Sequence, residues 1–329
     1  MQGNFRNTQK IEIITYIVMA VILLAGVYYL FYYDPVNYVV LIAEDKWAEY
    51  GTFVSFFIAG VLLLLLASKQ GAYLPRSIWL VIGLLAIFIA GEEVSWGQRV
   101  FDIKTPSSIK QYNSQNELTL HNFKTFQDAN KKLPAVLAYL ILLWALLSLA
   151  LTLFMRPLKQ TLLKMGIPVL PMKLVPVFML VPFFYLYFPT AKADELGELF
   201  LGLAVMFWVI DLFFIHYREQ DFNQSAFLVS TIGALILVLS LSVSLTALHA
   251  RPMPWRLNIM AVRDYPQFGM YQQSEVIYDY IYQHPEVGLR SNTHKDQLKM
   301  QRMAKIYPDP AEKVFNKKQL RWRRVKRKL

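Results

Sequence analysis

Trp47–Ala67 reads WAEYGTFVSFFIAGVLLLLLA, and Glu49 is the only charged residue within it. A helix needs about 20 apolar residues to cross roughly 30 Å of hydrocarbon, which is the length of this run. The run shows no strict alternation of apolar and polar residues, and in lipid a single segment satisfies its own backbone groups only as a helix. The sequence therefore predicts that this segment is a membrane-spanning α-helix.

Apolar runs of this kind recur along the chain, whose residues are 55% hydrophobic and whose mean hydropathy is +0.33. We predict an all-α polytopic bundle with about seven transmembrane spans. The other six are Ile11–Tyr33, Ile78–Trp96, Leu133–Met155, Val169–Phe188, Glu195–Tyr217 and Ala226–His249. Several prolines, among them Pro171, Pro176 and Pro182, are expected to kink or break the fifth span.

The chain is predicted to divide into a transmembrane bundle at residues 1–249 and a basic, polar C-terminal region at residues 250–329. Residues 97–132 form a structured loop between the third and fourth spans, named the outer loop below. Basic residues of the short loops fall on one side of the membrane, which the positive-inside rule assigns to the cytoplasm. They are Arg6, Lys10, Lys69, Arg76, Arg156, Lys159, Lys164 and Arg218.

Four polar segments then lie at the opposite, non-cytoplasmic ends of the spans. They are Glu44-Asp45-x-x-x-Glu49, GEEVSWGQR at 91–99, QNELTLHN at 115–122, and Asp194-Glu195-x-x-Glu198. Each charged group near hydrocarbon costs about 2.5–3.5 kcal/mol on insertion scales. So many carboxylates at one membrane face indicate a functional site rather than simple anchoring.

The GEEVSWGQR segment contributes three of the four candidate catalytic residues. If the helix continues through it, Glu92, Ser95 and Arg99 share one face, while Glu93 points elsewhere. Glu92 and Glu93 are predicted as base or metal ligand and Arg99 as a clamp for a charged head group, with His121 of the outer loop as a further base. The alternative is an interfacial ion pair with Trp96 as a membrane-interface anchor.

A divalent metal is a second hypothesis for this face. Glu117 and His121 are four residues apart, so a helix would place both on one side. The candidate ligands are Glu49, Glu92, Glu198 and His121, which suit Zn²⁺, Mn²⁺, Mg²⁺ or Ca²⁺ without choosing among them. The alternative is a plain hydrogen bond. The chain has no cysteine and no nucleotide-binding motif.

Three classes of function remain open. The leading one is a hydrolase or transferase that acts on a lipid or lipid-linked substrate. The second is a transporter or ion-coupled channel with a carboxylate path through Glu49, Glu198 and Asp211, although a simple hydrogen bond is the preferred explanation of Asp211. The third is a non-catalytic subunit with an envelope protein partner. The basic segment Arg321–Lys328 is expected to bind anionic lipid head groups, and no nucleic-acid motif accompanies it.

The strings GEEVSWGQR and QNELTLHN, together with Asp45-x-x-x-Glu49, resemble a group of uncharacterised bacterial multi-pass membrane proteins. The similarity covers roughly Ala43–Asn122. It implies a protein of the bacterial inner membrane, and it transfers no activity.

Overall fold

A computed structural model describes residues 2–43, 46–68, 76–98, 101, 103–110, 112–113, 118–120, 123, 133–164, 169–186, 188, 193–216, 224–248, 257 and 259–284. These residues form an all-α structure without β-strands, as predicted. The helices are α1 (Gln2–Tyr33), α2 (Pro35–Ile42), α3 (Trp47–Ser68), α4 (Arg76–Glu93), α5 (Ser107–Lys110), α6 (Leu133–Leu153), α7 (Arg156–Lys164), α8 (Val175–Leu186), α9 (Ala193–His216), α10 (Gln224–Leu248), α11 (Tyr265–Gln267) and α12 (Tyr271–Gln283).

Five helices of the described part are long and apolar enough to cross a membrane, so the protein is membrane-embedded. Their apolar segments are Ile13–Tyr33, Trp47–Ser68, Val136–Leu153, Ala193–Phe214 and Val229–Leu248. Helix α4 is apolar over most of its 18 residues but ends in two glutamates. The count of seven spans requires α4 and α8 to cross as well, and it stays a prediction.

Helices α3 and α9 form the centre of the bundle. In their most apolar windows 56% and 72% of the residues are buried, against 22% in α1, α6 and α10. Helix α3 contacts α4, α9 and α10, while α9 also contacts α8. The outer helices expose rows of Leu, Ile and Val, as lipid-facing surfaces do.

Glycines allow the central helices to approach closely. A Cβ atom on Gly60 of α3 would stand 2.7 Å from Ile87 Cδ1 and 3.1 Å from the carbonyl oxygen of Gly83, both on α4. A Cβ atom on Gly202 of α9 would stand 3.1 Å from Ser55 Cβ on α3. In a bilayer, such packing replaces the hydrophobic effect as the source of helix association.

Helix α4 ends earlier than predicted. It stops at Glu93, and the chain then turns through Ser95, Trp96 and Gly97, whose φ angles are 49°, 54° and 74°. Left-handed backbone costs a non-glycine residue about 1–3 kcal/mol, so surrounding contacts must stabilise this turn. The helical face predicted to carry Glu92, Ser95 and Arg99 therefore does not exist, because Ser95 already lies beyond the helix.

The fifth predicted span is shorter than predicted, and Pro182 lies inside its helix without ending it. A single 3₁₀ turn, Met172–Leu174, leads into α8, which contains Pro182. Together they cover residues 172–186, or roughly 22 Å at 1.5 Å per residue. Helix α8 contacts α6 and α9.

The chain divides into two compact units, and the second contains residues 22–44, 189–192 and 250–329. Within it, the Tyr265 hydroxyl donates a hydrogen bond of 2.8 Å to the carbonyl oxygen of Phe31, and Gln273 Nε2 donates one of 3.0 Å to that of Tyr32. Burial, with smaller effects of Tyr38, Asp264 and Asp34, raises the pKa of Tyr265, so its hydroxyl remains a donor at neutral pH. These bonds satisfy carbonyls that the end of α1 leaves without helical partners.

The predicted helix near residues 274–283 is confirmed as α12, and it lies beside the C-terminal end of α1. The end of α1 and α12 must therefore lie on the same side of the membrane. This requires an even number of crossings between them, which both five and seven spans in total satisfy, so the count of seven stays a prediction.

Cysteine labelling tests this topology, because the chain has no native cysteine. We expect Tyr33→Cys and Gln272→Cys to react with an impermeant maleimide from one face of oriented vesicles, and Gln160→Cys of α7 from the other. Labelling of Gln272→Cys from the same face as Gln160→Cys would contradict the assignment.

Candidate functional site

Glu92 and Glu93, the last two residues of α4, have different surroundings. Successive residues of a helix are rotated by about 100°, so adjacent side chains point in different directions. Glu92 is directed towards the outer loop, and Glu93 towards carboxylates of α3 and α9. The two glutamates of the GEEVSWGQR segment therefore have separate roles.

Glu92 anchors the outer loop to the end of α4. Its Oε1 accepts a hydrogen bond of 2.7 Å from Trp96 Nε1, and its Oε2 accepts one of 2.7 Å from the backbone N–H of Leu120. Only 9% of Glu92 is exposed. Hydrogen bonds to a carboxylate are among the stronger ones in proteins, and here both oxygens are engaged. Glu92 is therefore placed to position the loop rather than to act as an unoccupied base.

Two further side chains hold the same loop segment, Leu118–Leu120. Gln98 Oε1 accepts a hydrogen bond of 2.7 Å from the backbone N–H of Leu118, while Gln98 Nε2 donates to Thr105 Oγ1. Asn113 Nδ2 donates a bond of 3.2 Å to the carbonyl oxygen of Thr119, which is fully buried. The segment is thus bonded to side chains at each of its three residues.

The left-handed turn after α4 brings Trp96 back onto the helix. A Cβ atom on Gly91 would stand 2.8 Å from the indole ring, so the ring lies directly against the backbone there. The ring also contacts Phe88 edge to face, with centroids 5.4 Å apart. This packing and the bond to Glu92 stabilise the strained turn.

Glu93 lies at the centre of a group of carboxylates from three helices. It is buried, and Glu49, Glu92, Glu195 and Glu198 are close enough to act on it electrostatically. Glu49 belongs to the first turn of α3, and Glu195 and Glu198 to the first turns of α9. We call Glu49, Glu93, Glu195 and Glu198 the acidic cluster. The second, third and sixth predicted spans therefore meet at their acidic ends.

Other polar groups surround the acidic cluster. Lys46 precedes α3 and is buried with 2% exposure, so it brings a positive charge to this end of the helix. Asp194 Oδ1 is buried and accepts no hydrogen bond from any described residue. The ring of Tyr185 lies on Gly197, where a Cβ atom would stand 2.5 Å from it, and the charges of Glu198 and Asp194 act on the phenol.

Several predicted site residues lie outside the described residues. They include two of the four candidate catalytic residues, Arg99 and His121, together with Glu44, Asp45, Glu117 and His249. The basic segment Arg321–Lys328 also lies outside them. Their predicted roles stay predictions.

The metal hypothesis finds no support in the described part of the chain, where no group of three or more His, Asp or Glu side chains is arranged to hold an ion. Of its four predicted ligands, Glu49 and Glu198 lie in the acidic cluster. Glu92 instead uses both oxygens in hydrogen bonds to the turn and the loop.

Asp211 forms a hydrogen bond to another side chain, as expected from the sequence. Lys173 Nζ donates to Asp211 Oδ1 in an ion pair between the residues before α8 and the second half of α9. Only 4% of the Asp211 side chain and 13% of the Lys173 side chain are exposed. A buried charge this deep needs such a partner.

Sequence reasoning assigned no role to four residues that the structure places at or near these sites: Lys46, Gln98, Lys173 and Tyr185. Gln98 belongs to the GEEVSWGQR segment, and its position next to Arg99 was the one sequence feature that could have indicated a role for it. Tyr185 and Lys173 belong to the proline-rich span, where no regular periodicity relates side chains to the bundle. Their contacts follow only from the tertiary fold.

Comparisons with known proteins add no identification. A scan against protein-family models, a search of curated proteins and a search of solved structures each found no match. The resemblance to bacterial multi-pass proteins therefore stays a prediction.

The anchoring role of Glu92 predicts a local effect of Glu92→Gln. A glutamine offers one acceptor oxygen in place of two, and an unpaired buried group costs about 1–3 kcal/mol. Amide hydrogen exchange of Leu118–Leu120 should become about ten-fold faster or more, as followed by mass spectrometry. Glu93→Gln is the matched control and should leave exchange there unchanged. Equal protection in wild type and Glu92→Gln would contradict the anchoring role.

Proposed function

We propose that this protein is a membrane hydrolase or transferase that acts on a lipid or lipid-linked substrate, with the acidic cluster as its acid–base site. The observation that carries the proposal is the convergence of three contacting helix ends on Glu93, with Glu49 and Glu198 among its neighbours.

Neighbouring carboxylates suit acid–base catalysis. Like charges that share a site favour states in which one group carries a proton and another does not. Such a pair supplies both a base and an acid. In the proposed reaction the unprotonated member of the pair Glu93 and Glu198 takes the proton of an attacking hydroxyl, from water or from an acceptor alcohol. The protonated member gives its proton to the leaving oxygen, so the pair ends with its protons exchanged.

Tyr185 and Asp194 lie beside the acidic cluster and have proposed roles in the same reaction. The phenol of Tyr185 lies against α9 beside Glu198 and is suited to donate a hydrogen bond to a developing oxyanion. Asp194 Oδ1 can accept a hydrogen bond from a substrate hydroxyl or amine, because no described residue donates to it. Arg99 and His121 keep their proposed roles as head-group clamp and further base.

The substrate class follows from the position of the acidic cluster at the end of an apolar bundle. Helix α4 exposes Leu84, Leu85 and Phe88 on the turns that precede Glu93, and Trp96 beyond it is 48% exposed. A lipid could place its chains along this surface with its head group near the carboxylates. The basic loops and the resemblance support assigning the site to the non-cytoplasmic face of a bacterial inner membrane.

The geometry gives less support to a carboxylate path across the membrane. Glu198 and Asp211 lie on the same helix, about 20 Å apart at 1.5 Å per residue. The intervening residues include Leu203, Phe207 and Ile210, which are buried and apolar. Asp211 is moreover paired with Lys173. A local site at one membrane face therefore fits better than a path.

Activity can be sought without a known substrate by reconstituting the protein with a total lipid extract of bacterial inner membranes. Mass spectrometry of the lipids should show a species that wild type produces or consumes. Glu93→Gln should lower that turnover by about 10²–10⁴-fold, the usual contribution of an acid–base group. Glu275→Gln, on the exposed face of α12, is the matched control and should keep it.

Folding of each variant is checked by its thermal unfolding midpoint, so that loss of activity is not loss of protein. Turnover that persists in folded Glu93→Gln would contradict the assignment of Glu93 to the acid–base pair. The absence of any lipid turnover, with solute flux or a stably bound protein partner instead, would favour the transporter or the assembly subunit.

A further inference from the structure

Helix α7 follows the membrane helix α6 almost directly and carries a strong positive charge. Arg156, Lys159 and Lys164 are its charged residues, and no Asp or Glu occurs anywhere in residues 133–193. Within this part of the sequence Lys173 is paired with Asp211, whereas Arg156, Lys159 and Lys164 have no acidic sequence neighbour. Salt bridges within α7 or to its sequence neighbours cannot neutralise their charge.

The same helix presents a continuous apolar surface at its beginning. Phe154 is 81% exposed, Met155 46% and Leu158 42%. Within α7, Leu162 lies one turn after Leu158, so these two side chains share a face, and Phe154 and Met155 directly precede the helix. Arg156 and Gln160 lie on the other face and are exposed. Helix α7 is thus amphipathic, and its apolar face continues the exposed rows of Leu on α6.

Two cations of α7 lie close to each other. Lys159 Nζ donates a hydrogen bond of 3.1 Å to Thr152 Oγ1 in the last turn of α6, which directs the ammonium back towards the membrane helix. Burial, and to a smaller extent the charge of Arg156, lowers the pKa of Lys159. A phosphate bound between Arg156 and Lys159 would attract both cations. The Lys159 ammonium would then donate hydrogen bonds to the phosphate and to Thr152.

We propose that α7 lies in the interface of the membrane leaflet where α6 ends and binds anionic phospholipids there. Phe154, Met155 and Leu158 enter the upper acyl region, while Arg156 and Lys159 hold the lipid phosphate. An amphipathic helix with one basic and one apolar face binds membrane surfaces in this way. The charge complementarity favours an anionic lipid over a protein partner. This surface is separate from the acidic cluster and does not depend on its function.

The orientation of α7 can be measured with single spin labels, since the chain has no cysteine. Leu158→Cys and Leu162→Cys should be relaxed mainly by oxygen, which partitions into lipid, and Gln160→Cys mainly by a water-soluble nickel complex. If all three labels respond to the nickel complex alike, α7 stands away from the membrane and the proposal is overturned.

Lipid selectivity is measured with spin-labelled phosphatidylglycerol and phosphatidylcholine in proteoliposomes that contain the full chain. Wild type should prefer phosphatidylglycerol, and the double variant Arg156→Gln/Lys159→Gln should reduce that preference about five-fold or more. Lys104→Gln removes an exposed charge from the outer loop and should retain it. An unchanged preference in the double variant, or an equal loss in Lys104→Gln, would overturn the proposal.

Discussion

The meeting of four carboxyl groups from three helix ends in the acidic cluster is the constraint on which this structure depends. Charges at the edge of hydrocarbon are costly, and like charges add to that cost. The close contact of α3 with α4 through Gly60 and Gly83, and of α3 with α9 through Gly202, supplies the packing that holds the helix ends together. Near the other end of α9, Asp211 is paired with Lys173.

The division between Glu92 and Glu93 connects this constraint to function. Glu92 is satisfied by Trp96 and by the backbone of Leu120, so it fixes where the outer loop lies. Glu93, one residue later, faces the acidic cluster. A single helix end thereby positions both the proposed reacting group and the segment that covers this end of α4. The strained turn at Ser95–Gly97 makes this possible, because it returns the Trp96 indole to Glu92.

Five of the seven predicted membrane spans are found, since apolar run length is a local signal, and charge placement indicated which helix ends are acidic. The end of α4 could not, because only Gly97 hints at a left-handed turn and Ser95 and Trp96 rarely adopt one. The role of Glu92 was also beyond prediction, since its partner Leu120 lies 28 residues away in an irregular loop. The ion pair of Lys173 with Asp211 joins residues 38 apart across a proline-rich segment.

A double-mutant cycle of Glu93→Gln and Glu198→Gln tests the central claim most directly, because it needs no substrate. The free energy of unfolding is measured for wild type, both single variants and the double variant in one detergent. Removing either carboxylate relieves the same repulsion, so the double variant should be stabilised less than the sum of the singles, by about 0.5 kcal/mol or more. Additive changes, within about 0.3 kcal/mol, would show that the two carboxylates do not interact and would contradict the acidic cluster as a single site.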